Sequence, residues 1–231
     1  MTDALYTIGH STHTAQEVID LLRLHGITAI ADVRSSPYSR MNPQFNRDSL
    51  SDLLRDCQIA YVFLGRELGA RSKDRSCYSQ GRVQYDLLAR TDLFQAGLDR
   101  VTHGMRTHRV ALLCAEKDPL TCHRTILVCR HLVTRGIVVR HVLEDGRIET
   151  HEEAISRLIA EHGLPERDLF RDRSEIIEQA YSERGDKISY AEPSLSEDRP
   201  IPRSYDSESS HDRIPPRRRL SRSSRAWPRL V

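Results

Sequence analysis

A chain of 231 residues, 38% hydrophobic and 29% charged, is long enough to bury one substantial core, and its mean hydropathy of -0.55 lies on the polar side. Its apolar runs fall short of the roughly 18 residues that span a membrane, the N-terminal MTDALYTIGH carries no basic-then-apolar export signal, and five cysteines without the spacing of a stapled scaffold suit a reducing cytoplasm. The net charge of +2 is an uneven average: between Ala191 and Val231 nine arginines oppose six acidic residues, so the remainder is near neutral and makes no case for nucleic-acid binding by its charge.

LYTIG, Leu5 to Gly9, reads as a first strand. The following THTAQEVIDLLRLHG sets Thr14 and Glu17 at capping-box spacing, carries Val18, Ile19, Leu21 and Leu22 as an apolar stripe, and stops at Gly26, which predicts a helix. ITAIADV, Ile27 to Val33, is nearly continuous in apolar character, as a strand buried on both faces should be. A polar loop leads to a predicted helix over Arg47 to Cys57 with Asn46 as its cap, and IAYVFLG, Ile59 to Gly65, supplies a third strand. The long polar connection RELGARSKDRSCYSQGRVQ exceeds what a compact domain leaves structureless, which marks it as a lid or binding loop. A helix over Asp92 to Thr102 precedes the fourth strand, RVALLCAE. A helix over Leu120 to Thr134 ends at Gly136, and IVVRHVL is the fifth strand. Asp145-Gly146 carries a turn signal, and Thr150 with Glu153 caps a last helix reaching Glu161.

From Glu192 onward the chain holds six of its ten prolines, few aliphatic residues and no apolar period. It reads as a disordered Arg/Ser/Pro-rich tail over 193–231 behind an α/β domain over 1–192. Such a tail is either a solvated end or a weak contact for polyanions through RRRLSRSSR.

Alternating strands and helices imply right-handed crossovers, hence an open, mostly parallel, doubly wound sheet of about five strands with helices on both faces. Ligands of such sheets bind beyond the carboxyl ends of the strands. His10 and Ser11 follow the first strand, and Asp32, Arg34 and Arg40 the second. Glu67, Arg71 and Tyr78 follow the third, and Cys114, Glu116, Cys122, His123 and Arg124 the fourth. Asp118-Pro119 has the form of an N-cap with proline at the first helical position. Cys122 and His123 would then lie in the first turns, where the helix dipole acidifies a thiol and attracts anions. Taken singly, each residue has a plainer reading: Cys114 and Cys122 as packed hydrophobes, His10 as a satisfied strand-end histidine, Asp32 and Arg34 as a mutual pair, Arg40 and Arg71 as solvated cations. Only convergence on one rim lifts them above it.

Familiar motifs are mostly absent. Cys129 and Arg135 have the separation of a cysteine phosphatase loop, but CRHLVTR lies in a predicted helix and lacks a glycine cradle. ADVRSSPY resembles a rhodanese strand, yet no short Cys-centred loop follows it. The C-x-x-C pairs of structural zinc are missing, so no metal ligand is assigned, although Cys114, Cys122, His123 and His10 leave a single open-site ion conceivable. There is no P-loop and no G-x-G-x-x-G, and no cofactor is identified.

TIGHST, DVRSSPYSR, LGRELGAR and LLCAEKDPLTCHR together resemble the prokaryotic proteins of domain-of-unknown-function family 488, from Thr7 to Arg124 and more weakly to Glu192. The resemblance implies a single α/β domain without a settled activity, and its motifs contain the rim residues already named; Ala70 stands where the family often has a second glycine. The leading expectation is a cytoplasmic enzyme acting on a small anionic or nucleotide-like substrate, with a cysteine-dependent hydrolase or transferase as the reaction class in view. Arg34, Arg71 and Arg124 would hold the negative group, Cys114 or Cys122 would be nucleophile or redox thiol, His123 or His10 acid/base, and Glu116 an orienting partner. The rival is a non-catalytic module that binds a phosphate or nucleic-acid end at the same rim.

Overall fold

The computed structural model describes residues 4–192. Strand β1 (Leu5–Gly9) is followed by α1 (Ala15–Leu24), β2 (Ala29–Asp32), α2 (Arg47–Asp56) and β3 (Ala60–Phe63). The polar connection after β3 is not structureless. It holds most of α3 (Gly65–Leu68) and a hairpin of β4 (Tyr78–Ser79) and β5 (Arg82–Val83), and leads directly into α4 (Tyr85–Ala89). The chain continues through α5 (Asp92–Gly104), β6 (Val110–Cys114), α6 (Arg130–Val133), β7 (Val139–Val142), β8 (Ile148–Thr150), α7 (His151–Glu161) and α8 (Arg173–Ile188). The tail expected over 193–231 lies outside the described residues.

The main sheet is ordered β3-β2-β6-β1-β7-β8. Its first five strands are parallel and β8 is antiparallel to β7, so the open, mostly parallel sheet gains a sixth strand beyond the five expected. That strand is the return arm of the turn at Asp145-Gly146, where Gly146 takes φ +83. Three residues, half-exposed, were too short a run to register in the sequence.

Alternation along the strands decides which side chains meet which helices. Tyr6, Ile8, Ile30, Ala111 and Leu113 face α1 and α2, whose Val18, Ile19, Leu22, Leu50 and Leu54 complete one core. Leu5, Ala29, Ala31, Val110, Leu112 and Cys114 face the opposite layer, built from α4, α5, α7, α8 and the segment after β6. Both capping boxes form as their spacing predicts, Thr14 with Glu17 and Thr150 with Glu153. Asn46 stands before α2 but makes no side-chain cap; its Oδ1 instead accepts the Ser39 amide at 2.7 Å and pins the preceding loop.

The predicted helix from Leu120 to Thr134 is broken into three pieces. Asp118 accepts the Leu120 amide at 2.9 Å and caps a 3-10 turn, Pro119–Thr121. Cys122 is then extended, at φ -129 and ψ 139, and Arg124–Cys129 is wound as a π-helix before α6. Helix α8 lies beyond the last helix expected: only Ile176, Ala180, Tyr181 and Gly185 are buried along it, too few for a clear apolar stripe. Among the described residues no helix is long and apolar enough to cross a membrane.

Candidate functional site

β1 and β6 are neighbours, yet the chain leaves β1 toward β2 on one side and leaves β6 toward β7 on the other. Connections that diverge in this way open a crevice at the carboxyl ends of the two strands. Register brings Gly9 beside Cys114 and Asp32 beside Leu113, so the ends of β1, β6 and β2 carry their following residues to one place. The ladder continues past the strands, with the His10 amide donating to the Cys114 carbonyl at 3.0 Å and the Ser11 amide to that of Ala115 at 2.8 Å. Gly9 makes this approach possible: a Cβ there would collide with the Glu116 carbonyl oxygen.

A cleft of about 450 Å³ opens over these ends. Cys114, Glu116, His123 and Arg34 line it, with Arg71, Ser35, Ser36 and Tyr85 on its sides and Ile188 and Tyr190 closing it from the end of α8. Cys114 Sγ in the lining and Cys122 Sγ buried beside it lie 2.9 and 3.0 Å from the same Glu116 Oε2. They lie 3.7 and 3.9 Å from His123 Nδ1. His123 Nε2 donates to the Val33 carbonyl at 3.0 Å, which leaves Nδ1 to face the sulfurs. The donor atoms of Cys114, Glu116, Cys122 and His123 all lie within 4.8 Å of one another, close enough to hold one metal ion.

Electrostatics separate the two thiols. Burial, then the hydrogen bond with Cys122 and the negative charge around it, hold Cys114 well above the ordinary thiol range. Burial would also raise Cys122, but its bond with Cys114 and the adjacent Arg124 and His123 prevail and hold it well below. His123 loses charge to burial and regains more from Cys122, so its imidazole is held above its usual value. Cys122 owes its acidity to these partners rather than to a place inside a helix, since it precedes the π-helix in an extended conformation.

The remaining residues are distributed unevenly. Arg34 donates through Nε and one terminal nitrogen to both oxygens of Asp32, at 2.9 and 2.6 Å, to the Phe45 carbonyl at 2.9 Å and to His10 Nε2 at 3.3 Å. His10 donates through Nδ1 to the Ser11 carbonyl, stacks on Phe45, and is pushed down to about 4 by burial and by Arg34. It is therefore outside the four-residue cluster, and Glu116 occupies the place that His10 was considered for as a ligand. Arg124 is wholly buried and donates to the carbonyls of Glu116 and Lys117 at 2.7 and 3.1 Å, shaping the loop from behind instead of lining the cleft. Arg71 lies over the Tyr190 ring at 4.6 Å and does line it. Glu67 is paired with Arg100, Tyr78 donates to the Ser72 carbonyl, and Ser11 and Arg40 sit off the lining. Tyr85 and Tyr190 were missed by sequence reasoning. Neither follows a strand of the main sheet, although Tyr190 lies near Glu192, where the resemblance ends.

Fold and geometry together define an open-sheet α/β protein with a cleft at its topological switch point, lined by a thiol, an imidazole and a carboxylate with a second thiol against them. The chain belongs to the family described as Domain of unknown function DUF488, whose model matches residues 14–130. That span contains every rim motif except TIGHST at the end of β1. No curated protein and no solved structure matches the chain.

Proposed function

We propose that this chain is an enzyme acting on a small anionic or nucleotide-like substrate held in the cleft. Cys114, Cys122, His123 and Glu116 are its chemical centre, and Arg71 with the cleft-facing edge of Arg34 receives the negative group. The observation that carries this reading is that Cys114, Glu116, His123 and both guanidinium groups line one cleft of about 450 Å³, a size that suits a small ligand, with Cys122 clustered against the first three. Arg71 is the freer member of the pair for a ligand, because Asp32, the Phe45 carbonyl and His10 already engage Arg34. Five free cysteines fit the reducing cytoplasm as the place where it works. Residues 193–231 add, in this reading, a weak salt-sensitive contact with polyanions.

The test is direct. Native mass spectrometry of the full chain should reveal a co-purifying small anion, and titration calorimetry with adenosine monophosphate and with inorganic phosphate should find saturable binding. Arg71→Ala should weaken that binding by about 10- to 100-fold, the worth of a charge-assisted hydrogen bond. Binding that ignores Arg71→Ala would mean that the anion sits elsewhere and that the cleft is not a substrate site of this kind.

A further inference from the structure

We infer that Cys114 Sγ, Cys122 Sγ, His123 Nδ1 and Glu116 Oε2 form a mononuclear zinc-type site, with the thiolates and the imidazole as fixed ligands and Glu116 as an exchangeable fourth. The inference rests on the proposed function for the role of the site in turnover, but metal binding itself can be tested without it.

Four observations carry it. The first is convergence of lone pairs. Two sulfurs, a carboxylate oxygen and an imidazole nitrogen point at one small volume, within 4.8 Å of one another. Tetrahedral zinc, with bonds of about 2.3 Å to sulfur and about 2.0 Å to nitrogen, sets its ligand atoms roughly 3.3 to 3.8 Å apart. Of the sulfur-to-nitrogen separations, 3.7 Å falls within that spacing and 3.9 Å just beyond it. The sulfur-to-carboxylate separations of 2.9 and 3.0 Å are tighter, and the carboxylate is the ligand with room to move.

The second is the orientation of His123. Its far nitrogen donates to the Val33 carbonyl at 3.0 Å, the outer-shell bond that fixes tautomer and ring plane in metal-binding histidines. The third is charge. Arg124 is wholly buried, its terminal nitrogens donate to backbone carbonyls, and its charge faces Cys122, Cys114 and Glu116. A buried guanidinium needs an anion nearby. A divalent cation with two thiolates and one carboxylate is a centre of charge minus one, which Arg124 neutralises. The fourth is the split in exposure: Cys114, Cys122 and His123 are buried and Glu116 is exposed on the cleft side. Three fixed ligands and one that can yield to water or substrate is the arrangement of catalytic rather than structural zinc. Two soft sulfurs with an imidazole also favour zinc over magnesium or calcium.

No C-x-x-C or H-E-x-x-H pattern announces the site. Its ligands come as Cys-x-Glu at the end of β6 and Cys-His after the 3-10 turn, and the extended Cys122 between that turn and the π-helix aims both back at Cys114.

The experiment is metal analysis of the full chain purified without chelator, followed by replacement with cobalt(II). One zinc per chain is expected, and the cobalt form should show thiolate-to-cobalt charge transfer in the near ultraviolet with the intense visible bands of tetrahedral coordination. An outer-shell partner is worth about 10- to 100-fold in metal affinity, so Cys114→Ser and Cys122→Ser should each cost more than about 100-fold. Glu116→Gln should keep the metal and shift the visible bands, and Cys77→Ser, a buried thiol outside the cluster, should change neither. A wild-type chain that is folded by circular dichroism yet takes up neither zinc nor cobalt stoichiometrically overturns the inference. So does metal that stays bound in both ligand-thiol variants. A loaded site with the cobalt spectrum described, but no anion binding sensitive to Arg71→Ala, supports the metal centre and removes the substrate reading instead.

Discussion

Arg34 shows how a single cation can hold a loop and still serve a cleft. Its bidentate pair with Asp32 is buried, and the Arg34 amide and Tyr61 add bonds to the same carboxylate at 3.1 and 2.8 Å. Removing one member of such a pair strands the other charge, so Asp32→Ala should lower unfolding free energy by about 3 to 5 kcal/mol in urea denaturation. A loss below 1 kcal/mol would show that water already solvates the pair. His141, which burial holds well below its usual value, shares the acid response with His10 and His151. Burial pushes His10 and His151 down from 6.5 to about 4, helped at His10 by Arg34. The folded state therefore takes up these protons less readily than the unfolded chain. The corresponding stability, about 3 kcal/mol per histidine, is complete above pH 6.5 and is lost as pH falls toward 4. Urea midpoints should accordingly decline from pH 7 to pH 4.5, and less steeply in His151→Phe. A flat profile would contradict both assignments. His151 also links His141 to Tyr181, through bonds of 3.1 and 2.8 Å, so its neutral form is built into the packing of β7, α7 and α8.

Secondary-structure elements meet the site through their ends. Gly9 closes β1 against the loop after β6, and Gly9→Ala would drive a methyl group into the Glu116 carbonyl. The expected cost is about 1 to 3 kcal/mol of stability together with loss of zinc or cobalt uptake, because the displaced segment carries a ligand. Full uptake by Gly9→Ala would mean that the 115–117 loop shifts without disturbing the cluster. The caps of α1 and α7 were legible because Thr and Glu at that spacing satisfy backbone donors locally. The break after β6 was not, since a helix pattern over Leu120 to Thr134 is apolar enough on every side to hide it. Only the need to bury Leu120, Ile126 and Leu127 while turning Cys122 and His123 toward β6 forces a 3-10 turn, an extended residue and a π-helix in succession.

At the scale of the molecule, the last described residues close the cleft. The Val83 amide donates to the Tyr190 carbonyl at 2.9 Å, Ala191 bridges to Arg82, and Ile188 and Tyr190 form part of the wall. A chain ending after Glu192 should therefore keep its affinity for adenosine monophosphate, whereas one ending after Lys187 should lose about fivefold, the worth of roughly 1 kcal/mol from the Arg71–Tyr190 contact. Equal affinities for the two truncations would remove Ile188 and Tyr190 from the site.

Local chemistry in the sequence determined a good deal. Apolar runs set five strands, capping boxes set the starts of α1 and α7, and strand alternation with helices set an open sheet whose carboxyl rim collects thiols, histidines and arginines. Each of those signals acts over a few neighbouring residues, which is why it could be read in one dimension. Tertiary structure alone decided which rim residues share a cleft. Arg124 turned inward because two backbone carbonyls needed its donors, Glu67 was taken by Arg100, and Tyr85 and Tyr190 arrived from segments that follow no strand of the main sheet. These choices depend on contacts between residues far apart along the chain, and no local pattern encodes the direction in which a side chain finds its partner.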